Sequence, residues 1–280
     1  MSRFPSEWLA LREPVDMASH NQDVLGVCVR TFGDQESLSI CDLGAGTGAS
    51  VRAFAPLLPR RQYWTLVDHD AENLNAAKDI LEDWSESAKT IEDRLVLEHA
   101  GKHIEVQFAQ RDLSADAAPW PAETNLITAS ALFDLTSESW IARLVKKLAS
   151  DRLSLLAVLS FDGRIEISPG HTRDERMFRS FCAHQQTDKG FGPASGPGAA
   201  AALEIALRNT SYTVTSGDSP WRMEFKSQKL MHETLKGIAA AAAETGAVTE
   251  NESANWLDDR ISRAESLIIG HRDIFAKPQT

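Results

Sequence analysis

The chain has 280 residues, 42% of them hydrophobic, and 29 Lys+Arg against 40 Asp+Glu give a net charge of −11. That is ample material for a core, while the acidic balance and the lack of any basic run argue against a nucleic-acid substrate. Three scattered cysteines (Cys28, Cys41, Cys182) lack metal-ligand spacing, the opening residues lack a signal-peptide core, and no apolar run is long enough to span a bilayer. The expectation is a cytoplasmic protein, monomeric or homodimeric, that acts on neither nucleic acid nor membrane.

In chain order, residues 7–32 carry Val24, Leu25, Val27, Cys28 and Phe32 at helical spacing, with Pro14 as punctuation. Residues 38–43 read as a buried strand, followed by a helix over 49–58 that ends near Pro56 and Pro59. A second strand (63–67) leads into a helix from 72 towards 84. Residues 103–109 alternate as Ile104, Val106 and Phe108 and read as the third strand; 126–129 is the fourth. Thr136 is the expected N-cap of a helix over 137–148, and 153–161 is the fifth strand.

The rhythm then breaks. Residues 162–198 are charged and turn-rich, which predicts a lid or binding insertion. A helix over 199–209, a short strand at 212–215, helices over 225–244 and 253–264, and a final strand at 267–275 complete the chain. Alternating strands and helices predict an α/β fold: a doubly wound, mostly parallel sheet with helices on both faces. Two units are expected, an N-terminal helical cover (1–37) and a Rossmann-like domain (38–280) containing the insertion. Ligands on such sheets sit at the carboxyl ends of the strands.

The most informative stretch is Asp42-Leu-Gly44-Ala-Gly46-Thr-Gly48, directly after the first strand. Glycines at alternate positions let the main chain turn sharply and approach a ligand closely. Gly44-x-Gly46-x-x-Ala49 also meets the looser dinucleotide fingerprint, so a nicotinamide enzyme is a competing reading. Three carboxylates bear on the choice. Asp42 can accept from a ligand ammonium, where a pyrophosphate would be repelled. Asp68, ending the second strand, can take both hydroxyls of a ribose, a feature common to both readings. Asp112, after the third, can accept from an adenine amine. Each also has a structural alternative: Asp42 or Asp68 as a helix cap, with Asp70 then the ribose ligand, and Asp112 as a turn residue.

With these residues the chain resembles the class I S-adenosylmethionine-dependent methyltransferases. The resemblance lies in Ile40-Cys-Asp42-Leu-Gly44-Ala-Gly46-Thr-Gly48, Val67-Asp68 and Arg111-Asp112-Leu113, and spans roughly residues 38–162 in order and spacing. The segment Ile268-Ile-Gly-His-Arg-Asp-Ile-Phe275 looks like the family's last, antiparallel strand, which makes seven strands the expected number. The resemblance implies S-adenosylmethionine as cofactor, with S-adenosylhomocysteine as product. It implies a cofactor site formed by Asp42, Gly44, Ala45, Gly46, Gly48, Asp68, His69, Asp112, Leu113 and Ser130.

For the methyl acceptor, Ser130-Ala-Leu-Phe-Asp134 lacks the Asn-Pro-Pro-Tyr type of signature that marks amino-methylating nucleic-acid and protein enzymes. Asp134 and His184 are the candidate catalytic residues, His184 because an imidazole can act as a base near neutrality. Gln185, Gln186 and Asp188 could bind a polar, even heterocyclic, molecule on which Phe191 stacks. Arg12 could meet the cofactor carboxylate or pair with Glu13 or Asp16, and Trp221 is expected to pack under the C-terminal helices. The reading is methyl transfer to a small polar metabolite. The alternatives are an NAD(P)-dependent oxidoreductase and a non-catalytic protein that keeps the fold.

Overall fold

The computed structural model describes residues 4–279. Two helices, α1 (Ser6–Ser19) and α2 (Gln22–Phe32), precede β1 (Ser37–Leu43) and α3 (Ala49–Phe54). The chain continues through β2 (Arg61–Asp68), α4 (Ala71–Trp84), the hairpin β3 (Ser87–Ile91) and β4 (Arg94–His99), β5 (Lys102–Gln110), β6 (Leu126–Ser130), α5 (Glu138–Asp151) and β7 (Ser154–Ser168). Then come α6 (Asp174–Gln185), α7 (Ala199–Arg208), β8 (Tyr212–Asp218), β9 (Trp221–Met223), α8 (Gln228–Glu244), α9 (Glu250–Arg263) and β10 (Ser266–Pro278).

The strands form one sheet in the order β3-β4-β5-β2-β1-β6-β7-β10-β8, with β9 paired to β10. β5, β2, β1, β6 and β7 are parallel, and β10 runs antiparallel between β7 and β8. The sheet has ten strands rather than seven, and it is mixed rather than mostly parallel. Of the three extra strands, β4 carries the short apolar run Leu95-Val96-Leu97, and the other two left weak traces in the sequence. Every residue of β3 is exposed, so it shows no apolar alternation, and β9 is only three residues long.

Alternation along the parallel strands feeds two cores, one on each face. In β1, Leu38 and Ile40 join the core beneath α2, α8 and α9, whereas Cys41 and Leu43 join the one beneath α5 and α7. The same split recurs in β7, with Leu156 and Val158 against Leu155 and Ala157. Helices therefore cover both faces.

Three local expectations are corrected. Ser137, not Thr136, caps α5, because its side chain accepts from the Trp140 N–H while the Thr136 hydroxyl turns back to the Phe133 carbonyl. Pro14 does not end α1; the carbonyl it deprives of a donor belongs to Ala10, which is exposed, and water can serve it. The turn-rich 162–198 segment is largely ordered, since β7 runs on to Ser168 by pairing with Ser266 of β10 and α6 follows. Its irregular parts are the short link 169–173 and the loop 186–195.

One buried ion pair fixes α1 over the first βα turn. Arg52 of α3 is 6% exposed and donates through Nε and Nη2 to the two Glu13 oxygens, each at 2.6 Å, and through Nη1 to the Thr47 carbonyl at 2.7 Å. Removing one partner strands the other's charge, at about 3–5 kcal/mol. Glu13→Ala is therefore expected to lower Tm by roughly 6–20 °C in calorimetry, using the 2–4 °C per kcal/mol of chains this size. The double variant Glu13→Ala/Arg52→Met should recover most of that loss. A single variant melting within a degree of wild type would show that the pair does not hold α1.

Candidate functional site

At the end of β1 the chain turns over the neighbouring strand. The N–H groups of Gly44 and Ala45 both donate to the Val67 carbonyl, at 2.9 and 3.0 Å. Gly44, Gly46 and Gly48 have φ of +70°, +51° and +76°, values that a side chain disfavours. A Cβ at Gly46 would lie 3.1 Å from Leu9 of α1, and one at Gly48 3.3 Å from Leu81 of α4. Gly46 thus keeps a ligand-accessible main chain open, whereas Gly48 lets α3 pack on α4. The N–H groups of Gly44, Ala45, Gly46 and Gly48 are spent inside the fold, on Val67, Asp68 and Ala45, so the glycines provide close approach of a ligand to the main chain rather than a row of free donors.

Asp68 holds this loop. Its Oδ2 accepts from the Gly46 N–H at 2.8 Å and its Oδ1 from the Asp70 N–H at 2.9 Å, with Nδ1 of His69 3.1 Å from Oδ1. A carboxylate has about four acceptor positions, so it can still take ligand hydroxyls. Asp70 is the cap of α4, accepting from the Glu72 N–H. Asp42 lies buried under the loop, its Oδ1 receiving the Thr128 hydroxyl at 2.6 Å, and burial pushes its pKa up to about 7.

A cavity opens on this loop. Of the expected cofactor residues, Gly44, Ala45, Gly46, Asp68, His69, Leu113 and Ser130 line it; Asp42, Gly48 and Asp112 do not. Asp42 sits one layer behind, next to Ser50, which does line the cavity. Asp112 is exposed and closes a turn, accepting from the N–H and hydroxyl of Ser114 at 2.8 and 2.7 Å, which holds its carboxyl below the usual range. Leu9, Arg12 and Asp16 of α1, together with Lys189 and Phe191 of the 186–195 loop, complete the wall. Phe191 meets Trp140 edge-on at 5.4 Å.

A second cavity lies alongside and shares Phe4, Arg12, Ala131, Leu135 and Lys189 with the first. Both candidate catalytic residues line it. Burial pushes the Asp134 carboxyl up to about 6, and its Oδ1 has no hydrogen-bond partner. His184, in the last turn of α6, is already engaged: Nε2 lies 2.9 Å from Glu244 and Nδ1 3.4 Å from Lys189 Nζ. Gln185 joins this wall, whereas Asp188 is spent on the N–H groups of Gly190 and Gly192.

The rest of the second cavity was not marked in the sequence. Trp8, Phe161, Phe181, Trp221 and His271 wall it with aromatic rings. Trp221 shares the core beneath α8 and α9, as expected, and also walls this cavity: its ring is 6.4 Å from Trp8 and 5.1 Å from His271, and its N–H donates to Asp16. Arg12 pairs with Asp16 at 2.7 Å and sits 5.0 Å over the Trp221 ring. The only sequence signal for His271 is its place in the last strand, where an alternating pattern gives no hint of a cavity.

Two non-glycine residues on the cavity walls have positive φ, Ala131 (+50°) and Leu159 (+56°). Such backbone is costly and persists only when neighbours enforce it. For Leu159 the enforcer is Asp273 of β10, fully buried, whose Oδ1 accepts from the Leu159 N–H at 2.8 Å and the Ser219 hydroxyl at 2.6 Å.

No family model and no curated protein matches the chain. Among solved structures it is similar to the YcgJ protein of Bacillus subtilis, at 12% identity over 93% of this chain and 100% of that one, with a TM-score of 0.52. It is also similar to a candidate methyltransferase, BH2331, of Bacillus halodurans, at 11% identity over 92% of this chain and 100% of that one, with a TM-score of 0.50. At such identities the likeness concerns the fold. The chain has the Rossmann-like fold of the class I methyltransferases.

Proposed function

We propose that the protein transfers a methyl group from S-adenosylmethionine to a small polar, heterocyclic or otherwise aromatic molecule. The observation that carries this reading is the pair of adjoining cavities, one on the glycine loop and one beside Asp134, joined at Arg12, Ala131, Leu135 and Lys189. A donor and an acceptor held in two such chambers meet in line, and alignment supplies much of the rate of a displacement.

The residues fit the cofactor. The open main chain at Gly44 and Gly46 would pass along the amino-acid portion, and free acceptor positions on Asp68 would take the ribose hydroxyls. Leu113 would meet the adenine in place of the exposed Asp112. Asp42, behind Ser50 and raised by burial to about 7, would be drawn to its charged form by a ligand ammonium above it. When bound, S-adenosylmethionine supplies an electrophilic methyl group on a sulfonium. The chain's own contribution is to receive the acceptor's proton on Asp134 Oδ1 and to exclude water with α1 and the 186–195 loop. On this reading α1 and α2 act as the cover, and a small-molecule acceptor needs no interface beyond the second cavity. Among the described residues no helix is long and apolar enough to cross a membrane.

Calorimetric titration with S-adenosylmethionine, S-adenosylhomocysteine and NADPH tests the reading. Micromolar binding of the first two and none of the third is expected. Binding of the nicotinamide alone, or of nothing, would sink it.

A further inference from the structure

The wall of the second cavity carries two buried hydrogen-bond acceptors left without protein partners. Oδ1 of Asp134 and Nδ1 of His271 are both shielded from water, and neither has a hydrogen-bond partner among the described residues. His271 is 6% exposed, and burial and the field of Arg12 lower its pKa to about 3, so the ring is neutral, and in the tautomer with its proton on Nε2 the partnerless Nδ1 is an acceptor. An unpaired buried polar atom costs about 1–3 kcal/mol, so two on one cavity wall require an explanation.

The surroundings supply one. His271 lies between Trp221 (5.1 Å) and Phe161 (6.2 Å), and Phe161 meets Phe181 edge-on at 5.7 Å. Flat aromatic walls favour a flat guest. A quaternary ammonium would seek the same walls, but Arg12 already occupies the Trp221 face and Lys189 stands at the junction, so a second cation is repelled.

The geometry points to an aromatic or heteroaromatic acceptor bearing two hydrogen-bond donors, received by Asp134 Oδ1 and by His271 Nδ1. His271 is then a substrate-orienting residue on the last strand, and His184, tied to Glu244, is not. This deepens, and rests on, the methyltransferase reading. The acceptor's ring lies in the second cavity, against the walls formed by Phe161, Phe181 and Trp221.

The experiment measures binding of catechol, resorcinol and hydroquinone by quenching of tryptophan fluorescence, against 1,2-dimethoxybenzene and choline. It is run on the protein alone and again saturated with S-adenosylhomocysteine. At least one dihydroxybenzene is expected to bind tenfold or more tightly than the dimethyl ether, and His271→Phe and Asp134→Asn should each abolish that preference. Calorimetric binding of S-adenosylhomocysteine by the variants shows that they fold. If either variant does not, the wild-type donor preference alone decides. Equal binding of diol and ether, preference for choline, or a diol preference that survives both substitutions overturns the inference. Failure of S-adenosylhomocysteine to bind the wild type is a separate result and counts against the methyltransferase reading instead.

Discussion

Replacing Asp68 by alanine is expected to weaken S-adenosylhomocysteine binding at least 100-fold. The carboxylate accepts from the Gly46 N–H at 2.8 Å and the Asp70 N–H at 2.9 Å, so it holds the glycine loop and the start of α4 together from inside the cavity. Hydrogen bonds to a charged group contribute about 1.5–3 kcal/mol each, and alanine leaves both N–H groups without that partner. Loss of the ribose contacts adds to this. Two ribose hydroxyls donating to the same carboxylate, at the same 1.5–3 kcal/mol each, amount to about 3–6 kcal/mol, or two to four decades in Kd. Asp68→Asn, which keeps an oxygen for one N–H, should fall between. The matched control is Asp112→Ala: that side chain is exposed and committed to Ser114, so its affinity change should stay within threefold. Calorimetry on the three variants decides the matter. An Asp68→Ala protein that binds within threefold of wild type, or an Asp112→Ala protein as weak as Asp68→Ala, would mean that the ligand lies elsewhere.

The contrast between these two aspartates shows what the sequence could and could not reveal. Asp68 ends β2, Asp112 follows β5 by two residues, and both match a motif, but spacing alone cannot tell which way a side chain turns where a strand stops. Asp68 turns inward because Gly46 and Asp70 present N–H groups to it, and Asp112 turns outward because Ser114 offers a nearer pair. The parallel strands were legible because burial on both faces produces unbroken apolar runs such as 153–161. The edge strand β3 was not, since an exposed edge strand needs no apolar pattern, and without it the short run Leu95-Val96-Leu97 of β4 does not read as half of a hairpin. The extension of β7 to Ser168 was also hidden, because its pairing partner Ser266 lies almost a hundred residues downstream and the local composition resembles a loop. The first cavity was readable as contiguous motifs. The second gathers Trp8, Asp134, Phe161, Trp221 and His271 from five distant segments, and no local signal marks residues that meet only in the fold.

Asp134→Asn is expected to lower kcat/KM for methyl transfer by about 10²–10⁴, the usual contribution of a positioned base, while making the protein more stable at neutral pH. The two effects have one cause. Burial raises the carboxyl from an ordinary 3.8 to about 6, and Arg12 opposes that rise only in part. A base with a pKa near 6 is ionised at pH 7 yet still takes a proton readily, so kcat/KM should climb through about pH 6 and level off above 7. For stability the sign follows from proton uptake. Between pH 3.8 and about 6 the native state keeps a proton that the unfolded chain has released, so stability falls as pH rises through that window and stays reduced above it. The reduction is at most about 3 kcal/mol at 1.36 kcal/mol per unit. Asparagine carries no charge to desolvate, so its advantage in Tm should be present at pH 7.5 and absent at pH 3.5. Lys189, His184, Glu233 and His271 face the same cavity; burial holds His271 at about 3 and Glu233 pairs with Lys236, which leaves His184 as the competing base. His184→Gln is therefore the companion variant, expected to retain the acidic limb and most of the rate because its ring is already held by Glu244. If the limb near pH 6 persists in Asp134→Asn and vanishes in His184→Gln, the proton goes to the imidazole and the assignment of Asp134 fails.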